Sequence, residues 1–236
     1  MTAGIEIFNS AGQKIIDSDM KNVVFKSKSV ITFGLNDVFN DRQNSYIAFA
    51  TVGTTSMVCV SSPSTPVAVS RGLAAPGFGD IRLFANGTSA PTDVTIYVFE
   101  PMPVSASGVG LVVYNAAGEP TFSPDKMLMR VLGVASVSNS ASGAGLPATT
   151  TLSGLGTGSG PYAACLTTTR MGYYYYDGAT DGGGAVMMDA VKTPSSNDRV
   201  EASQIRLFGT GGPGAPLYHA YDAAGGRLLA VSVAGL

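Results

Sequence analysis

GIEIFNSAGQKIIDSD, residues Gly4 to Asp19, returns as GLVVYNAAGEPTFSPD from Gly110 to Asp125. The first phrase sets short β-prone runs, Ile5 and Ile7 before and Ile15 and Ile16 after, around Asn9-Ser10-Ala11-Gly12. Asn suits the first position of a type I turn because its side chain can accept from the backbone two residues on. Gly at the fourth position tolerates positive φ and closes the turn as a bulge. The phrase therefore predicts a β-hairpin, with Asn9 and Gly12 as its turn residues. Asn115 and Gly118 repeat the device, and Asp222 and Gly225 repeat it again within LYHAYDAAGGRLLAVSV. An aromatic residue precedes each turn: Phe8, Tyr114 and Tyr221.

The recurrence extends beyond the hairpin. IRLF occurs at Ile81–Phe84 and at Ile205–Phe208, and YIAFATVGT from Tyr46 resembles YAACLTTTR from Tyr162. Order is kept while the spacing grows, as expected of a tandem duplication whose second copy gained loop insertions. Two Gly-rich stretches are the expected insertions, Ser138–Pro161 and Asp177–Gly184. Short strand signals such as NVVF, SYIAFATV, SMVCV, DIRLF, DVTIYVF and MLMRVLGV dominate, and sustained helical periodicity is missing. The expected fold is all-β: two tandem antiparallel β-sandwich domains from an internal duplication. Residues 1–103 form the first, 104–108 the linker, and 109–236 the second, with longer Gly/Ser-rich loops.

Composition narrows the function. Only 13% of residues are charged and the net charge is −2. The usual charged share is about 25%, so much of this surface is uncharged and suited to cover by neighbours. The balance excludes a basic nucleic-acid binder. No stretch has the ~18 apolar residues of a membrane span, and MTAGIEIFNSAG lacks the basic and apolar regions of a secretory leader. Cys59 and Cys165 are the only cysteines. They read as buried thiols of a reducing compartment, with a disulfide as the alternative.

Catalysis finds little to work with. The single histidine, His219, is expected to be structural, and no G-x-S-x-G accompanies it. One His and two distant Cys do not make a zinc site, and only four Glu are present. GTGGPG (Gly209–Gly214) matches G-x-G-x-x-G, but a strand rather than a helix is expected after it, so it reads as a loop. No catalytic, cofactor-binding or metal-binding residue is assigned, and an enzyme is not expected. Asp177 and Asp181 could contribute to a Ca²⁺ site only as a minor alternative. The most suggestive surface feature is YYYYDG. Its tyrosines Tyr173, Tyr174, Tyr175 and Tyr176 alternate faces in a strand and are the candidate interface, with ordinary strand packing and glycan stacking as alternatives.

Gly4, Ile5, Ile7, Phe8, Asn9, Gly12, Ile16, Asp17 and Ser18 resemble a short hairpin module that recurs in tail proteins of tailed bacteriophages. The second phrase keeps Gly110, Val113, Tyr114, Asn115, Gly118 and Phe122, with Ser123-Pro124 in place of Asp-Ser. The resemblance covers about twenty residues per copy. It implies a structural, non-enzymatic virion component of the tail tip, baseplate or fibre attachment, assembled in the host cytoplasm. Its partners would be other tail proteins, in a homo- or hetero-oligomer. Alternatives are a receptor- or glycan-binding module of a tail fibre, with a cell-surface glycan as ligand, and a capsid decoration protein.

Overall fold

A computed structural model describes residues 6–8, 10, 12, 14–17, 21–32, 34–35, 45–53, 55–71, 80–86, 93–103, 110–137, 149–156, 160–176, 184–195, 198–209, 216–219 and 226–236. Among them there is no helix, and every strand pairing is antiparallel. The chain is all-β. Two hairpins, β1 (Glu6–Phe8) with β2 (Lys14–Asp17) and β10 (Val113–Tyr114) with β11 (Pro120–Phe122), stand apart from two large sheets.

The six-stranded sheet holds β3 (Val23–Ile31), β6 (Met57–Ser61), β9 (Val94–Pro101), β12 (Arg130–Ser136), β14 (Tyr162–Leu166) and β19 (Arg227–Ser232), in the order β12-β19-β14-β6-β9-β3. The nine-stranded sheet orders β13 (Thr150–Ser153), β17 (Arg199–Gly209), β16 (Gly184–Lys192), β7 (Val67–Arg71), β8 (Asp80–Asn86), β5 (Ser45–Thr51) and β4 (Gly34–Leu35). Off that path, β15 (Met171–Tyr176) pairs with β16 and with β18 (Pro216–His219). Both sheets run across the junction between residues 1–103 and 109–236. The seam is one residue pair wide in each: Val60 with Ala164 between β6 and β14, and Val67 with Val191 between β7 and β16.

Alternation places the core. Val58, Val60, Ile96, Ala164, Leu228 and Ala230 of the smaller sheet pack face to face with Val67, Ile81, Leu83, Val191, Val200 and Ala202 of the larger. Each fully buried Val, Leu or Ile here stabilises by roughly 1.5–3 kcal/mol. The intervening residues of the smaller sheet are buried as well: Cys59, Tyr97, Phe99, Ala163, Cys165 and Val231 join Phe25, Met57 and Met129 in a second cluster. That explains why MVCV, YAACL and VTIYVF read as unbroken apolar runs although the sheet is antiparallel. The second face is closed by the sheet itself. Phe25 N donates to Met127 O and Met129 N to Val23 O, each at 2.8 Å, and Val24 bridges Leu128. Residues 127–129 lead directly into β12, at the sheet's opposite edge, so the hydrogen-bonded path returns on itself and leaves this end of the sheet without free edges.

The two halves match in register, not only in words. In the hairpins, Ile7 pairs with Ile16 and Phe8 with Lys14; 106 positions on, Val113 pairs with Phe122 and Tyr114 with Pro120. The register shift falls at the same step in both. β3 skips Lys26 against β9, and β12 skips Leu132 against β19, again 106 positions on. β8 and β17, which carry the two IRLF phrases, are each second from the seam.

The match of Tyr46 with Tyr162 is corrected: β5 lies in the nine-stranded sheet and β14 in the six-stranded one. The counterpart of β14 is β6, its partner across the seam. The Ser138–Pro161 insertion is corrected too. Gly12 to Cys59 and Gly118 to Cys165 both span 47 positions, so the Ser138–Pro161 stretch adds no net length to the second half. From Cys165 to Ile205 there are 40 positions against 22 from Cys59 to Ile81. From Phe208 to Val231 there are 23, against 15 from Phe84 to Phe99. The extra residues surround β15 and β18, which pair with each other.

Candidate functional site

Turn chemistry builds the two hairpin tips. Asn115 Oδ1 accepts from Ala117 N at 3.0 Å and Glu119 N at 2.9 Å, while Gly118 N donates to Asn115 O at 3.0 Å. Gly118 has φ +77 and Gly12 has φ +75, the left-handed conformation expected of both. Asn9 lies outside the described residues, as do Asp222 and Gly225. Glu119 accepts from Asn115 Nδ2 at 3.1 Å and pairs with Lys21 Nζ at 3.1 Å. Those two contacts, Asn115 first, hold its carboxyl below the usual carboxylate range.

The Lys21 pair also ties the second hairpin to the first half. Asn22 N and Asn22 Nδ2 add donations to Thr121 O. β2 and β11 lie in contact. The aromatic residues that precede the turns, Phe8 and Tyr114, are 51% and 52% exposed. Leu111 and Met127 are exposed on the second hairpin and the segment that follows it. Two like tips thus present large apolar side chains to solvent.

The four tyrosines Tyr173–Tyr176 form most of β15. In backbone register Tyr173 lies opposite Val186 on one side, and Tyr174 lies opposite His219 and Tyr175 opposite Tyr218 on the other. Asp177 and Asp181 lie outside the described residues, as does 104–108. The β15–β18 extension is anchored by an ion pair that sequence reading missed. Arg170 Nε donates to Asp189 Oδ2 at 2.6 Å, with both side chains 1% exposed. Asp189 N donates to Arg170 O at 3.0 Å, and Gln204 Nε2 to Asp189 Oδ1 at 3.2 Å. Residue type alone gives no sign of this burial, since Arg and Asp are ordinarily exposed.

A cavity of about 420 Å³ opens at the seam, beside the single bridge between β6 and β14. Met57, Val58, Val69, Leu166 and Met188 line it, together with Ser56, Ser70, Thr167, Thr169 and Cys165. Such walls suit an apolar group with a few hydroxyl contacts. Among the described residues they hold no carboxylate or imidazole to move a proton. Among the described residues no group of three or more His, Cys, Asp or Glu gathers as metal ligands would.

Cys59 and Cys165 are both free and buried. Continuing the Val60–Ala164 register by one residue brings them to facing positions across the seam, and their thiols are neighbours. The neighbouring Cys165 thiol, with burial second, pushes the Cys59 thiol well up. The signal was present in the sequence: the cysteines are 106 positions apart, as are Gly12 and Gly118.

No family model matches the chain, no curated protein matches it, and no solved structure matches it significantly.

Proposed function

We propose that this chain is a non-enzymatic structural component of a bacteriophage tail, at the baseplate or tail tip. There it packs against neighbouring subunits and anchors fibres or tip proteins. The observation that carries the reading is the pair of hairpin tips, alike in register, with Phe8 and Tyr114 exposed at equivalent positions. They are the same residues that resemble the phage tail module. The low charge supports it, because uncharged surface is tolerated where subunits cover one another. We also infer that the two halves descend from one duplicated unit, supported by hairpins, bulges and cysteines repeating at one spacing.

The test is fractionation of purified particles into heads and tails, followed by mass spectrometry. The chain should be in the tail fraction. Recovery with heads alone would favour capsid decoration, and absence from both would end the virion reading.

A second reading, a receptor- or glycan-binding module, is favoured by β15 and β18. They hold the residues that the second half has in excess of the first, and they bring Tyr173–Tyr176, Tyr218 and His219 onto neighbouring strands. Saturable binding of the purified chain on a glycan array would support it.

A further inference from the structure

We propose that Cys59 and Cys165 are a dithiol site that closes to a disulfide across the seam, covalently joining the first half of the chain to the second. Directly opposed residues on antiparallel strands have Cα atoms about 4.5–5.5 Å apart, within the 4.4–6.8 Å that a disulfide spans. Continuing the Val60–Ala164 register by one residue brings the two cysteines to facing positions, and their thiols are neighbours. They share one apolar cluster on one face of the sheet, so their side chains leave the strands on the same side. Only one bridge pair holds β6 to β14, so the strands have latitude to adjust to the bond.

Access is asymmetric. Cys165, 3% exposed, is among the residues lining the seam cavity, whereas Cys59, 0% exposed, is not. The oxidant is therefore a small disulfide that fits the cavity, and the order of events follows. The Cys165 thiol loses its proton and its sulfur attacks the small disulfide. A mixed disulfide forms and one small thiolate leaves, taking up a proton. Cys59 then loses its proton and its sulfur attacks the Cys165 sulfur of the mixed disulfide, releasing the second small thiol. The protein loses two electrons and two protons; the reagent gains both. The attacking group is the thiolate at each step.

The probe is bis(2-hydroxyethyl) disulfide, applied to the reduced full-length chain under native conditions. Excess reagent is removed, and the protein is denatured, alkylated and weighed. Protein lighter by two hydrogen atoms, refractory to alkylation and yielding one linked peptide pair that contains both cysteines is the expected result. The Cys59→Ser variant should stop at one hydroxyethylthio adduct on Cys165, and the Cys165→Ser variant should remain unmodified. The linked protein should melt higher by roughly 5–15 °C, since the bond closes a loop of more than 100 residues. Wild-type protein that keeps two alkylatable thiols, or that stops at the mixed adduct, would overturn the proposal. So would a linked form that melts no higher than the reduced one.

Discussion

Arg170 reaches Asp189 with its Nε 2.6 Å from the Oδ2, and neither side chain meets solvent. Of the ion pairs among the described residues, the other four leave both partners at least 21% exposed and stabilise little. This one sits where the chain leaves β14 for β15, and Asp189 shares the face of β16 that carries Val191. It fastens the tyrosine-bearing extension to the sandwich.

Breaking that pair from one side should be costly. Arg170→Met leaves a buried carboxylate without its cation, and Asp189→Leu leaves a buried guanidinium; each should destabilise by about 3–5 kcal/mol. The double variant should cost less than the two singles added together. Urea denaturation of the three proteins measures this, and additive losses would show that the two groups do not act as a unit.

Gly118→Ala and Gly12→Ala should each cost about 1 kcal/mol through backbone conformation alone. A Cβ at either position would meet nothing within 4 Å. Asn at either site should cost less than Ala, because it tolerates the left-handed region. The change in denaturation midpoint, with its slope unchanged, is the measurement.

Glu100 gives a pH signature. Hydrogen bonds from Lys26, first, and from Ser56 hold its carboxyl below the usual range. A depressed folded-state value means that the stabilisation is full above the unfolded carboxylate range, about pH 4. It is lost as pH falls through the folded value. Wild type should therefore exceed Glu100→Gln in stability at neutral pH by a margin that narrows on acidification. A margin that stays level, or widens, would contradict the assignment.

Because both sheets run through the seam, neither 1–103 nor 109–236 should fold alone. Each would turn a seam strand of both sheets into a free edge and lose the other half's part of the shared core cluster. Mixed together, the two fragments should regain dispersed amide resonances. A fragment that unfolds cooperatively by itself would show that the seam is dispensable.

How much of this was legible follows physical range. Asn115 and Gly118 act within five residues, so the hairpin and its positive φ could be read from the sequence directly. Strand content was legible from β-branched and aromatic runs. Which strands meet was not. Tyr46 and Tyr162 share a phrase but occupy different sheets, because a few apolar residues suit either. Ala164 meets Val60 through a pairing across 104 positions that no local pattern encodes. Arg170 and Asp189 were hidden for a related reason: burial of a charge is decided by its partner, 19 residues away.

The central claim, that this is a subunit covered by neighbours in a phage tail, is tested most directly by cryo-electron microscopy of the intact particle. The account predicts density for the chain at the distal end of the tail, with Phe8 and Tyr114 buried against adjoining subunits. Density that leaves both hairpin tips in solvent, or a chain absent from the tail altogether, would contradict it.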